Sequence, residues 1–256
     1  MVRGLYIATM GMLLDEAKLN NLANNLANVD TTGYKNDRLA FRTYLEKEIY
    51  RFEPHPERHD IDVQRIGKLE MASILDEVRV DMSRGKIEET GSPYDLAIDG
   101  EGFFAVADGE NVYFTRNGNF YRDSLGRLVT SEGYRILDIR GEPVQLDVDD
   151  YIAPDGTVRG PNGEIRSTIA IYRFDNPSKL EKLGYTMFTS TEESGPPALE
   201  ENARLMVGFL ERSNVDPLKE MVNMITAQRH YEISQRVITT TDTLLDQAVN
   251  QIGRLR

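Results

Sequence analysis

The feature that most narrows what this chain can fold into is a row of residues recurring every seven positions near its end. Met224, Tyr231, Ile238, Leu245 and Ile252 form the row, and Ala227, Ser234, Thr241, Ala248 and Leu255 follow three positions behind each member. Alternating spacings of three and four put both sets on one seam of an α-helix. A repeat of seven suits a helix lying lengthwise on a partner, because it keeps the same face inward over many turns. Asp216 ahead of Pro217 supplies the start, an N-cap side chain followed by a residue whose missing N–H costs nothing at the first helical position. Helix from Pro217 to Leu255 would be about 58 Å long at 1.5 Å per residue, the dimension of a rod.

The beginning of the chain carries the same message. Leu5, Ala8, Met12, Asp15, Leu19, Leu22, Leu26 and Val29 share one seam, with Asp15 its only charged member. The polar run Asn28 to Gly33 then ends the helix, with Gly33 free to take positive φ. Between the ends the pattern changes to short β-branched and aromatic runs, which predict strands at Leu96–Ile98, Phe103–Ala107, Val112–Thr115, Leu128–Thr130, Tyr134–Ile139, Ile169–Phe174 and Tyr185–Thr189. Asp108-Gly109, Asn117-Gly118, Asp155-Gly156 and Asn162-Gly163 mark the bends, since such pairs suit the positive φ of tight hairpins. Tyr44 to Val80 is highly charged, holds Pro54 and Pro56 and shows no period, so it reads as an extended or irregular connector. The Pro196-Pro197 pair, in the polar stretch Thr189 to Asn202, reads as a linker.

These readings give an α+β fold with a discontinuous, coiled-coil-like helical domain from residues 1–35 and 216–256. A central antiparallel β-rich domain spans 81–189, with connectors at 36–80 and 190–215.

Composition removes several function classes. A formal charge of -12 and a pI near 4.8 argue against nucleic acid, which needs a concentrated Lys/Arg face. No apolar run approaches the roughly 20 residues of a membrane-spanning helix, and Met1 to Met12 lacks the cleavage site of a secretory signal. The chain has no cysteine, which excludes disulfides, thiol catalysis and thiolate metal sites and suits an oxidising compartment.

The remaining motifs point away from catalysis. Gly100-Glu101-Gly102-Phe103-Phe104-Ala105 fits the G-x-G-x-x-A pattern of a dinucleotide site, with Asp123 downstream. Phosphate binding there would need the glycines to open a helix, whereas Phe103 onward reads as strand. His55 and His59 beside Glu57, Asp60 and Asp62 have helical metal-ligand spacing, which Pro56 disrupts, so a solvated loop is expected. Glu88-Glu89, Asp149-Asp150 and Glu200-Glu201 read as solvated faces rather than acid–base pairs, and His230 falls within the rod helix as a surface or inter-subunit residue. No cofactor, metal or catalytic residue is expected, and the chain reads as a non-enzyme.

Asn24-Asn25-Leu26-Ala27-Asn28-Val29-Asp30-Thr31-Thr32-Gly33-Tyr34-Lys35 closely resembles the signature of the flagellar basal-body rod and hook protein family. The resemblance continues through Leu96 to Phe104, Phe114 to Phe120 and Gly208 to Asp216, and it ends with Glu220 to Ile225, Gln228-Arg229 and Tyr231-Glu232. It implies an axial subunit, exported unfolded without a cleaved signal and stacked helically into the rod that crosses the periplasm. The implied partners are other copies of the chain, other rod and hook subunits and the export apparatus. Polymerisation residues would be Leu5, Met12, Leu19, Leu22, Leu26, Met224, Tyr231, Ile238, Leu245 and Ile252. Asn24, Asn25, Ala27, Asn28, Thr31 and Gly33 carry the family motif. The short central body resembles rod rather than hook subunits, and the Arg3-Gly4-Leu5-Tyr6 opening with Gly208 to Asp216 leans towards the proximal rod. A competing reading makes the β body a ligand-binding or adhesin module on a helical stalk, with Tyr113, Phe120 and Tyr134 as an aromatic patch. An enzyme reading lacks a convergent set of residues.

Overall fold

The computed structural model describes residues 2–54, 61–109, 111–184, 186–200 and 203–252. It divides into two compact units. One comprises Met1–Asn24, Arg38–Val78 and Leu218–Arg256, the other Asn25–Asp37 and Arg79–Pro217. The architecture is α+β, with a helix at each end of the chain and antiparallel β structure between them.

The first unit holds most of helix α1 (Val2–Ala27), strands β1 (Asp37–Pro54) and β2 (Ile61–Val80), and helix α2 (Pro217–Ile252). Helix α2 begins at the Pro that the sequence marks, and its 36 residues make it about 54 Å long. The segment read as an extended or irregular connector forms two paired strands of 18 and 20 residues, extended but regular. No period was visible there because neither face of this ribbon is uniformly buried. Phe41, Tyr50, Phe52, Val63, Ile66 and Val78 are exposed alongside charged neighbours. Ion pairs Arg42–Asp76 (3.0 Å) and Arg65–Glu48 (2.9 Å) bridge the strands. His55 and His59 lie outside the described residues.

The second unit is built from short strands. They are β3 (Ile87–Glu89), β4 (Leu96–Ile98), β5 (Phe103–Asp108), β6 (Asn111–Thr115), β7 (Tyr121–Arg122), β8 (Leu128–Val129), β9 (Arg135–Ile136) and β10 (Tyr151–Ile152). There follow β11 (Thr157–Arg159), β12 (Ile165–Thr168), β13 (Ile171–Arg173), β14 (Glu181–Leu183), β15 (Met187–Thr189), β16 (Ala198–Leu199), β17 (Leu205–Val207) and β18 (Phe209–Glu211). The largest sheet runs β14-β15-β6-β5-β9-β8-β7, with β13 pairing β5 and β16. A separate sheet runs β10-β11-β12, and the pairs β17-β4 and β18-β3 complete the unit. The stretch read as a linker around Pro196-Pro197 thus supplies a strand, β16, whose Leu199 lies opposite Tyr172.

Strand β5 organises the core because it is buried on both faces. Phe104 and Val106 point into one apolar cluster with Leu96, Ile98, Phe120, Leu128, Ile136 and Val158. Phe103, Ala105 and Ala107 point into a second with Phe114, Phe174, Leu180 and Phe188. Edge-to-face contacts such as Phe114–Phe174, with ring centroids 4.9 Å apart, lock the second cluster. The string Gly100 to Ala105 leads into this strand and opens no helix, so its glycines serve backbone geometry and sheet packing.

A single hairpin device recurs five times: Asp123–Arg127, Thr130–Tyr134, Asp138–Glu142, Ala153–Thr157 and Gly160–Glu164. In each, the first residue's N–H donates to the fifth's carbonyl, and the fourth residue's N–H donates to the first's carbonyl, at 2.8–3.1 Å. The fourth residue is always a glycine with φ between 78° and 93°, the left-handed position that closes a three-residue hairpin loop. Asn117-Gly118 departs from the expected hairpin role, because Gly118 does not take positive φ. A Cβ there would lie 1.6 Å from the carbonyl oxygen of Leu96, so this glycine admits a close backbone crossing.

Candidate assembly site

On α2 the seam residues stand apart from every neighbour. From Met221 to Asn250, Ala227 is buried, Met224, Tyr231, Ser234, Ile238, Thr241, Leu245 and Ala248 are half-buried, and all others are exposed. On α1, Leu5, Met12, Leu19, Leu22 and Leu26 are half-buried, and Ala8 and Asp15 are buried. The rows meet in the first unit where Gly11 leaves room for Ser234, whose Oγ lies 3.5 Å from where a Cβ would stand. Asp15 is steadied by Lys18 at 3.6 Å, one turn along the same helix. The side chains of Ile252 and Leu255 lie outside those described.

Opposite its seam, α2 exposes a second apolar set. Leu218, Met221, Val222 and Ile225 are 75%, 46%, 63% and 53% exposed, and their spacing of three, four and seven places them on one stripe. His230 is exposed on the same helix.

The motif residues divide between solvent and interior. Asn24 and Ala27 are exposed, Thr31 is half-buried, and Asn25, Asn28 and Gly33 are buried. Asn25 saturates its amide: Nδ2 donates to Asn36 Oδ1 (2.8 Å) and the Asp37 carbonyl (3.0 Å), while Oδ1 accepts from Tyr34 Oη (3.0 Å) and Asp37 N–H (3.1 Å). Gly33 has φ 69°, and any Cβ would strike the Asn117 nitrogen at 2.3 Å. Thr32 Oγ1 donates to Asn117 Oδ1 at 2.6 Å, joining this turn to the β body.

The turn leads directly to a buried ion cluster that sequence reasoning missed. Lys35, Glu211 and Arg116 have side chains 1%, 2% and 6% exposed. Lys35 Nζ donates to Glu211 Oε1 at 2.6 Å and to the Ser83 carbonyl at 2.8 Å. Gly85 N–H reaches the same carboxylate oxygen at 2.9 Å, and Arg116 Nη1 reaches Oε2 at 3.3 Å. The Glu211 carbonyl accepts from Gly33 N–H at 2.8 Å. Burial pushes the Glu211 carboxyl up, but the charges of Lys35 and Arg116 and the bonds from Lys35 and Gly85 outweigh it and hold the group below its ordinary value. Burial likewise lowers Lys35, with Glu211 offsetting part of the effect. Close by, Lys182 donates to both Asp37 oxygens and the Lys35 carbonyl while lying 3.9 Å over the Tyr34 ring. These charged residues escaped attention because Lys, Arg and Glu read as surface in isolation. The available signal was that three of the resembling stretches, Asn24 to Lys35, Phe114 to Phe120 and Gly208 to Asp216, each supply one member.

The aromatics considered for a ligand patch pack inward. Phe120 is fully buried against Phe104, and Tyr113 and Tyr134 stack edge-to-face at 6.2 Å against the first cluster.

Comparison with known proteins agrees with this geometry. Residues 5–35 match the model of flagella basal body rod proteins, 97–166 that of the flagellar hook protein FlgE/F/G D1 domain, and 206–252 the C-terminal region of flagellar basal body rod FlgEFG proteins. The flagellar basal-body rod protein FlgG of Bacillus subtilis is 33% identical over 98% of this chain and 99% of its own length. FlgG of Buchnera aphidicola subsp. Schizaphis graminum is 34% identical over 96% and 98%, and the rod protein FlgF of Caulobacter vibrioides is 31% identical over all of both chains. With similarity spanning both helices and the β body, the chain belongs to the flagellar basal-body rod protein family, as a structural subunit of the rod.

Proposed function

We propose that the subunit stacks helically through α1 and α2 to form part of the drive shaft in the periplasm, after export without a cleaved signal. Its partners are other copies of itself, other rod and hook subunits and, in transit, the export apparatus. The observation that carries the reading is that α2 is apolar on two sides. One side is a half-buried seam, and the other is the exposed stripe Leu218, Met221, Val222 and Ile225. A helix covered on one side only gains by burying the other, at about 1.5–3 kcal/mol for each large side chain fully withdrawn from water. When the receiving surface is a different face of the next copy, contacts do not close on themselves and a filament results. The exposed apolar residues of the β1–β2 ribbon add to the surface available to neighbours.

Leu5, Met12, Leu19, Leu22, Leu26, Met224, Tyr231, Ile238, Leu245 and Ile252 are the polymerisation residues of this reading, and the seam reaches full burial only in the assembled rod. The test compares the full chain with a Val222→Asp/Ile225→Asp variant by sedimentation and electron microscopy over a concentration series. The wild type is expected to form filaments, while the variant stays monomeric with unchanged helical signal. A variant that polymerises like the wild type would overturn the proposal.

A further inference from the structure

We infer that the cluster around Glu211 is a latch that opens and closes as one unit, separately from the β core, and couples the segment following α1 to the segment preceding α2. This goes beyond the assembly reading, since it stands on contacts within one unit of one chain.

The contacts join segments far apart along the chain. Lys35 and Glu211 are 176 positions apart, and Asn36 N–H bonds Asn214 Oδ1 across 178. Neither apolar cluster contains any residue of 25–37 or 208–217. Beside the buried side chains of Tyr34, Leu210 and Val215 and the pairing of β18 with β3, the contacts that join the two segments are polar: Gly33 to Glu211, Asn36 to Asn214, and Asp81 N–H to the Asn36 carbonyl at 2.8 Å. Asn214 Nδ2 also donates to the carbonyls of Asp81 and Ser83. Among the described contacts of the charged groups, the one with an apolar cluster is that of Arg116, whose guanidinium lies 5.2 Å from the Phe103 ring centroid, so opening at Lys35 and Glu211 need not disturb either cluster. The contacts also converge on one group. One carboxylate serves two buried cations and one backbone N–H, and Arg116 Nε already lacks a partner. Withdrawing Glu211 leaves Lys35 and Arg116 buried with the Ser83 and Gly100 carbonyls as partners and without their shared counter-charge, so partial opening is disfavoured and the contacts break as a set. In the open state the β core persists while both helix-bearing segments are released; in the closed state both are held.

Native-state amide exchange of the full-length wild type in low denaturant tests this. Gly33, Asn36 and Gly85, whose N–H groups donate to residues 211 and 214, should exchange with one common opening, at least about tenfold faster than the amides of β5. Glu211→Gln should speed those three about a hundredfold and leave β5 within about threefold. Independent exchange of the three amides, or their opening only together with β5, would overturn the inference. So would a Glu211→Gln chain in which β5 loses protection equally. If that variant fails to fold, the wild-type measurement decides alone.

Discussion

The β body and the terminal unit solve the problem of stability in different ways. In the body, β5 is covered on both faces, five hairpins repeat one glycine-closed geometry, and large aromatics are fully withdrawn from water. In the terminal unit the seam side chains are mostly half-buried, α2 exposes a second apolar stripe, and the β1–β2 ribbon exposes apolar residues along its length. The difference between a self-sufficient body and an incompletely covered helical unit teaches where each part finds its partners. The body finds them within its own chain, and the proposed assembly would supply the remainder to the helices.

The contrast is broken most severely by substitution at a close backbone crossing. Gly118→Val would force a side chain into the Leu96 carbonyl, and the body should lose more than about 4 kcal/mol, the exceptional range of single changes. Thermal unfolding followed by tyrosine near-UV signal reads this. Phe104→Ala, at a fully buried position between paired strands, should cost about 3–5 kcal/mol by denaturant titration.

Acid sharpens the comparison at the latch. The Glu211 pKa is lower in the folded chain than in the unfolded one, so its stabilisation is complete above the ordinary glutamate value. It is lost as pH falls from there through the lowered folded value. Protection of Gly33 and Gly85 should therefore fall in that window, and Glu211→Gln should remove this part of the pH dependence. Asp123→Ala deletes an acceptor that holds the N–H groups of Leu125 and Arg127. Loss of one such local arrangement is expected to lower the melting temperature slightly. Smallest in the monomer is Ile225→Asp, an exposed change expected to move folding stability by no more than about 0.5 kcal/mol. Its effect should appear only in polymerisation.

Much of this was legible in residues alone. The rows Met224 to Leu245 and Leu5 to Leu26 carry a strict period, and a period survives wherever one face of an element differs consistently from the other. The body's strands at Leu96–Ile98 and Phe103 to Ala107 are buried throughout and carry no such period; their β-branched and aromatic runs and the turn pairs around them announced them instead. The β1–β2 ribbon was not legible, since a strand with apolar and charged residues on both faces shows no alternation. Asn117-Gly118 misled because a glycine can serve absent side-chain volume as readily as positive φ.

The sequence by itself determined the two seams, the β character of the middle and the family signature, because each depends on neighbours near in the chain. Only the tertiary structure decided that Lys35, Arg116 and Glu211 share one buried site and that β5 is covered on both faces. Burial of a charge and coverage of a strand depend on which distant segments arrive beside it. No local pattern in a single sequence records that arrival.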